Sequence, residues 1–521
     1  MDRLPRGLRV VGRLLVGRLL VGLALLLAAE ESKAAVPPPA AEEVRLNPAQ
    51  TAPRRRASKS KRKPVAHRVA PSKRKRTGKP RSVATRRRHA PHRRYATRNS
   101  KLRTRKFYPP PDSAFRARYP ELPADFQPAF MRPELNRIET FGAGPDALHG
   151  FRAAVEKLTA GEQRQVRILH LGDSHLQADQ LTARARETWQ DESLGGLGSA
   201  GRGLIFPYPL AHTNNPWDYR VTYTGAWTGQ RSAIPAHRGW WGVAGLAATT
   251  ATAGATFTVQ LKEATAARSP ITRVRVFYPL DDPASFELEL LDSANIAHYA
   301  SDLAAGAGVW TLRQPVTAVA FRVRQTQPRQ TRLIVQGLSL ENDQSGVRYD
   351  VAGGNSATVA SYLRCGRLRR QITALAPDLV VVSLGTNEAF GGFDSVAFRR
   401  SYGTLLQLVQ RAAPGASVLL TTPGDTFRGG QPNAAHTLAA TRVIRRLAEE
   451  TGSAVWDFFA LMGGPGAVRD WAATGLAQRD LVHYTPRGYY LQGDLLTQAL
   501  RAALRAGAGP LAPVPLPADP K

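Results

Sequence analysis

Four positions in this sequence carry side chains suited to acyl transfer. Ser174 closes the stretch Val166-Arg167-Ile168-Leu169-His170-Leu171-Gly172-Asp173-Ser174-His175. An apolar run that stops at Gly-Asp-Ser reads as a buried parallel strand delivering a hydroxyl to the carboxyl end of a sheet, where open α/β folds keep their ligand crevice. Asn387 stands in the same relation to the apolar run Leu379 to Leu384, and Asp480 and His483 precede the last helical segment. Ester hydrolysis needs a hydroxyl, a base able to shuttle its proton near neutral pH, and an acid that fixes the imidazole tautomer. Asp480 and His483 are three residues apart, so one turn of chain can set both on one side. The Asn387 amide can donate to a tetrahedral oxyanion.

The elements that must position these groups alternate. Ala178 to Asp191 reads as a helix, with Leu181, Ala185 and Trp189 recurring every four residues. Ala357 to Leu375, Phe398 to Ala413, Asn433 to Thr451 and Pro486 to Arg505 read as helices, and Leu379 to Leu384, Ala416 to Thr422 and Ala454 to Phe458 as strands. Scattered helical spacings over Pro133 to Leu158 suggest a segment packed on this part. The alternation predicts an α/β fold with a parallel sheet and helices on both faces. Residues 208–345 differ. They carry strand-length segments at Thr256 to Leu261, Arg273 to Tyr278, Phe286 to Leu291, Val316 to Val323 and Leu333 to Leu340, which predict a β-sandwich interrupting the α/β part. Trp217, Trp227, Trp240 and Trp241 read as core or interface residues, a sugar-stacking platform being the alternative.

Composition locates the charge. Of a formal net charge of +32, residues 54–106 supply 24 Lys or Arg and no Asp or Glu, whereas residues 107–521 are nearly balanced, 41 against 35. The basicity is a tail and not a face of a fold. Residues 36–106, rich in Pro, Ala, Lys and Arg, bury too little apolar surface to offset the entropy of ordering and are expected to be disordered. Such an arm is either a tether to anionic envelope polymers, lipid headgroups or nucleic acid, or a spacer. With Tyr95 as the one aromatic between residues 54 and 106, it lacks the stacking platform of a single-strand nucleic-acid binder. Residues 1–35 combine five arginines with the apolar run Leu19 to Ala29, as in a cleaved export signal or an N-terminal anchor. Residues 507–521 read as a loose tail.

Gly172-Asp173-Ser174, Gly385-Thr386-Asn387-Glu388 and Asp480-Leu481-Val482-His483 resemble the first, third and fifth sequence blocks of the SGNH (GDSL-type) hydrolases. The continuation Leu176-Gln177-Ala178-Asp179, the segment Ala200 to Leu210 and a β-rich stretch before the second block are similar to exported bacterial members akin to the peptidoglycan O-acetylesterases. The resemblance spans about residues 164–505. It implies a flavodoxin-like three-layer hydrolase domain over 107–207 and 346–506, with a carbohydrate-binding-like insertion, jelly-roll-like in form, at 208–345. It further implies Ser174 as nucleophile, His483 as base, Asp480 as its orienting acid, and an oxyanion hole from the Ser174 N–H, the Asn387 side chain and one N–H of the second block. Gly353-Gly354-Asn355-Ser356-Ala357-Thr358 resembles that block. Ser356 occupies the usual donor position and Gly354 is the second choice. A backbone N–H survives the change from Gly to Ser provided that the turn does not need a positive φ.

Other patterns carry less. Gly196 to Gly201 matches GxGxxG but follows a helix, and Pro207, Pro209 and Pro216 exclude the helix a dinucleotide site needs. Ser356 lacks the closing glycine of a GxSxG elbow. Cys365 stands alone, which excludes an intramolecular disulfide, and the histidines show no ligand spacing, so neither a metal nor a cofactor is expected. The reading is a serine esterase acting on O-acyl, chiefly O-acetyl, groups of an envelope or other polysaccharide. An O-acyltransferase with the same triad and a non-catalytic glycan-binding protein remain as alternatives.

Overall fold

A central six-stranded sheet is built from β1 (Ile138–Glu139), β2 (Gln165–Gly172), β3 (Gly346–Gly353), β4 (Leu379–Ser383), β5 (Ser417–Thr421) and β6 (Ala454–Trp456), in the order β1-β6-β5-β4-β2-β3. The structure is a computed structural model that describes residues 126, 128–141 and 146–506. The expected signal segment at 1–35, the basic arm at 36–106, residues 107–125 and the tail at 507–521 lie outside the described residues. Strands β2 to β6 are parallel and β1 is an antiparallel edge. Without β1, the strands run second, first, third, fourth, fifth in chain order, the flavodoxin-like arrangement whose crevice opens where the order reverses, between β2 and its neighbours.

The parallel strands split their side chains between two cores, which is why the runs are continuously apolar. Val166, Ile168, Leu379, Val381 and Leu419 enter one core with Phe151, Leu181, Trp189 and Leu500. Leu169, Leu171, Val380, Val382 and Leu420 enter the other with Tyr362, Ile372, Leu405 and Ile444. Helices α1 (His149–Thr159), α3 (Gln180–Gln190) and α8 (Pro486–Arg505) therefore cover one face. Helices α4 (Val359–Leu363), α5 (Leu368–Leu375), α6 (Ser395–Ala412) and α7 (Ala434–Thr451) cover the other. The short helix α2 (Ser174–Gln177) sits between β2 and α3.

Several elements differ from the sequence expectation. The helix expected over Ala178 to Asp191 starts at Gln180, because Asp179 adopts φ +53 and its carboxylate is drawn to Arg186 and Arg202. The helix expected over Ala357 to Leu375 is two, α4 and α5, separated at Arg364 to Arg367. Arg364 there donates to the Ser232, Ile234 and His237 carbonyls. The glycine-rich stretch that begins at Gly196 runs into the strand Gly201–Ile205, which pairs with Gly337–Glu341. Its glycines follow from close approach. A Cβ on Gly203, at φ +80, would stand 2.7 Å from the Tyr349 carbonyl oxygen of β3.

Between Gly201 and Glu341 the chain forms antiparallel sheets. Ile296–Asp302, Ala307–Val316, Ile271–Phe277, Gly337–Glu341 and Gly201–Ile205 make a five-stranded sheet; Tyr219–Tyr223, Thr256–Leu261, Ala318–Arg324 and Glu287–Leu290 a four-stranded one. They share one core, in which Val274, Val276 and Trp310 of the first meet Phe257, Val259 and Phe321 of the second. Of the four tryptophans singled out in the sequence, Trp217, Trp227 and Trp241 are buried. Trp240 is 44% exposed beneath the Arg367 guanidinium. The segment expected as one strand over Leu333 to Leu340 is broken at Gln336 into two strands belonging to different sheets. Among the described residues, no helix is long and apolar enough to cross a membrane.

Candidate active site

Gly353 of β3, Gly172 of β2 and Ser383 of β4 stand side by side in register. The three turns that follow them therefore leave the sheet at one level. Asp173-Ser174, Gly354 to Thr358 and Gly385-Thr386-Asn387 are brought together in this way. Both glycines are required by the approach of α2, since a Cβ on Gly353 would lie 2.5 Å from the Gln177 backbone nitrogen and one on Gly172 2.5 Å from Leu176 Cδ1.

Asp173 is the N-cap of α2, its Oδ1 accepting from the His175 N–H at 3.0 Å. Ser174 is the first helical residue, so its own N–H has no partner within the helix. Its Oγ lies 3.0 Å from Nε2 of His483, and His483 Nδ1 lies 2.8 Å from Asp480 Oδ2. The other Asp480 oxygen accepts the Val482 and His483 N–H groups, each at 3.0 Å. This turn holds Leu481 at φ +54, a region bulky residues avoid, and the Leu481 carbonyl is secured by the Phe427 N–H at 3.0 Å. Three groups far apart in sequence thus form one hydrogen-bonded line able to carry a proton from a hydroxyl to an imidazole.

Electrostatics favour that transfer. The hydrogen bond that His483 donates to Asp480 raises the His483 pKa above its ordinary value despite desolvation. Burial works against the Asp480 charge, yet the hydrogen bonds from His483 hold the carboxyl down at about 2. His175 packs its ring 5.3 Å from that of His483 and shares a 2.9 Å hydrogen bond with the Tyr489 hydroxyl. Burial of the ring takes its pKa down to about 3, so His175 is a neutral wall beside the second imidazole.

The Asn387 side chain reaches the same place. Its Nδ2 donates to the Ala357 carbonyl at 2.8 Å and, more weakly, to Asp173 Oδ2 at 3.3 Å. The buried Asp173 carboxyl is pushed up to about 6 by desolvation, and the neighbouring Glu388 carboxyl to about 7 for the same reason. Glu388 Oε1 accepts the Val359 N–H at 2.7 Å and so ties the start of α4 to the Asn387 turn.

The second-block turn departs from expectation. Ser356 adopts φ +64, so the turn does need the left-handed region, and a serine bears a strain there that glycine would not. Ser356 is exposed and Gly354 buried. The intervening Asn355 N–H is taken by Gln177 Oε1 at 2.7 Å. Among the described residues, no hydrogen bond uses the Gly354 or Ser356 N–H. Sequence reasoning passed over Asp173, His175, Gln177 and Glu388. The Asp before a short helix is an N-cap signal that the sequence does carry; the others have no local signature.

The family of GDSL-like lipases and acylhydrolases matches residues 303–491, a span that holds Gly354, Ser356, Asn387, Asp480 and His483 but not Ser174. A solved structure of a peptidoglycan O-acetylesterase in action superposes with a TM-score of 0.57 at 19% identity, covering 71% of this chain and 99% of that one. The chain carries a GDSL-type ester-hydrolase domain. Two further solved structures align over smaller parts. A lipase/acylhydrolase from Enterococcus faecalis is 20% identical and covers 32% of this chain and 81% of its own, with a TM-score of 0.25. A psychrotrophic esterase from Pseudoalteromonas sp. is 22% identical and covers 31% and 80%, with a TM-score of 0.26. No curated protein matches the sequence.

Proposed function

We propose that this GDSL-type carboxylic ester hydrolase removes O-acetyl groups from a cell-envelope polysaccharide, through an acyl-serine intermediate on Ser174. The observation that carries the chemistry is the line from Ser174 Oγ through His483 to Asp480, at 3.0 and 2.8 Å. Ser174 Oγ attacks the ester carbonyl as its proton passes to His483 Nε2. Asp480 keeps the imidazole in the tautomer that accepts there and stabilises the imidazolium. The oxyanion is met by the Ser174 N–H, by Gly354 or Ser356 N–H and by the Asn387 N–H that is only weakly held by Asp173. His483 then protonates the departing sugar oxygen, leaving the acyl group on Ser174. Water, deprotonated by His483, attacks the acyl-serine; acetate leaves and the proton returns to Ser174.

The polysaccharide part of the reading is supported by the fold shared with a peptidoglycan O-acetylesterase and by the β-rich segment. In this reading 107–207 and 346–506 form the hydrolase domain and 208–345 an inserted carbohydrate-binding-like domain. Residues 1–35 direct export and the arm at 36–106 holds the enzyme to anionic envelope polymers or lipid headgroups. Deleting the arm should weaken retention on cell-wall preparations at low salt; unchanged retention would make it a spacer.

The test is acetate release from O-acetylated peptidoglycan and from O-acetylated xylan by the wild type and Ser174→Ala. Release from peptidoglycan by the wild type and none above background by the variant is expected. Equal rates for the two proteins would remove the serine mechanism, and release from xylan alone would remove the envelope substrate.

A further inference from the structure

Beside the catalytic serine lies a cluster of three amide side chains that the hydrolytic steps do not use. Gln177, at the end of α2, is fully buried; Asn355 belongs to the turn after β3; Asn214 comes from the segment entering the β-rich part. Asn215 anchors that segment by donating to the Pro216 and Tyr219 carbonyls, each at 2.8 Å.

The orientation of every amide in the cluster is forced by its partners. Gln177 Oε1 accepts the Asn355 backbone N–H, and Gln177 Nε2 donates to the Asn214 carbonyl at 3.2 Å, so neither end can be exchanged. The same Nε2 donates to Asn214 Oδ1 at 2.7 Å, which makes that atom the oxygen. Asn355 Nδ2 donates to this oxygen at 3.0 Å, which makes it the nitrogen. Two atoms are left over: the donor Asn214 Nδ2 and the acceptor Asn355 Oδ1. Neither takes part in any hydrogen bond among the described residues, and both residues are half-exposed. Hydrogen-bonding groups held in fixed orientation and left unpaired at a site mouth are what a polar ligand recognises.

We propose that Asn214 and Asn355 form a sugar subsite next to Ser174, taking a group of the esterified glycan that offers both an acceptor and a donor. This rests on the esterase reading above and extends it to the substrate. A ring hydroxyl offers both functions on one oxygen; an acetamido group offers them on its carbonyl and N–H. Gln177 is the positioning residue, holding the Asn355 turn and the Asn214 side chain in one arrangement.

The experiment compares kcat/KM on O-acetylated peptidoglycan, whose sugars carry acetamido groups, on O-acetylated xylan, whose sugars carry hydroxyls only, and on p-nitrophenyl acetate, which has no sugar. Asn214→Asp keeps the oxygen that Gln177, Thr213 and Asn355 hold but replaces the free donor. Asn214→Ala and Asn355→Ala remove the outer groups altogether. For each variant the ratio of glycan to p-nitrophenyl acetate kcat/KM should fall about ten-fold, the size of one lost hydrogen bond to substrate. A fall on peptidoglycan alone assigns the acetamido group, and a fall on both glycans assigns a hydroxyl. An unchanged ratio in all three variants, in a wild type that is active, overturns the subsite and leaves the esterase reading standing. A wild type inert on all three esters overturns the esterase reading itself.

Discussion

Two charged clusters begin within five residues of each other, at Ser174 and at Asp179, and they are built on opposite principles. Asp179 and Asp218 meet Arg186 and Arg202 in a closed set: Arg186 lies 2.9 Å from Asp179 and 3.1 Å from Asp218, and Arg202 contacts both. All four side chains are at most 6% exposed. Burial opposes the Asp179 charge, but the two guanidiniums hold its carboxyl below the usual range. The cluster clamps α3 to the β-rich segment. In the other cluster His483 is 36% and Asp480 48% exposed, and the central group is an imidazole. The contrast separates a charge set that holds structure from one that can move a proton: balance, burial and permanently charged arginines mark the first, an open end and a histidine the second.

The sharpest way to break this contrast is to remove the hydroxyl. Ser174→Ala should lower kcat by about 10⁴-fold or more, as loss of a triad nucleophile does, with the thermal midpoint little changed; steady-state kinetics and calorimetry check both halves. Asp480→Asn should cost about 10⁴ in kcat. It should also move the acid limb of the pH profile. His483 must be neutral to accept a proton, so the wild type loses activity as pH falls through a pKa raised above 6.5 by Asp480. Without that carboxylate the limb shifts to lower pH.

Asp179→Ala tests the structural cluster. It leaves two buried guanidiniums facing one carboxylate and should cost about 3–5 kcal/mol in denaturant unfolding. Asn387→Ala should lower kcat by about 10²–10³ without shifting the pH limb, because Asn387 does not touch His483. The smallest effect is expected at Glu388→Gln. The folded pKa of Glu388, about 7, lies above its ordinary 4.5. Stability from this group is therefore complete below 4.5 and lost as pH rises through about 7. The amide keeps the oxygen that holds the Val359 N–H and removes the titration. Its melting temperature should gain about 2–4 °C on the wild type at pH 8 relative to pH 4.5.

Much of the frame is legible in the sequence because the rules that set it are local. The run from Val166 to Leu171 has to be buried on both faces, and the strand does feed two cores. The interval between Asp480 and His483 fits one turn. What escaped depends on partners distant in the chain. Asp179 breaks a helix that periodicity carries straight through, because Arg202 pulls its carboxylate from 23 residues away. The strand at Gly201–Ile205 hides in a glycine-rich stretch because its glycines serve contact with β3. Gln177 and Asn355 look like ordinary polar residues until a hydrogen bond across 178 positions joins them. The left-handed conformation of Ser356 is invisible in the sequence, because a serine does not mark a positive φ as a glycine does.

The central claim is that Ser174 is the residue acylated during turnover. Incubating the full chain with a phosphonate ester, which traps serine nucleophiles covalently, and mapping the adduct by peptide mass spectrometry tests it directly. One adduct on the peptide containing Ser174, formed in step with loss of esterase activity and absent from His483→Ala, is the predicted result. Loss of activity with Ser174 unmodified, or an adduct on Ser356 in its place, would contradict it.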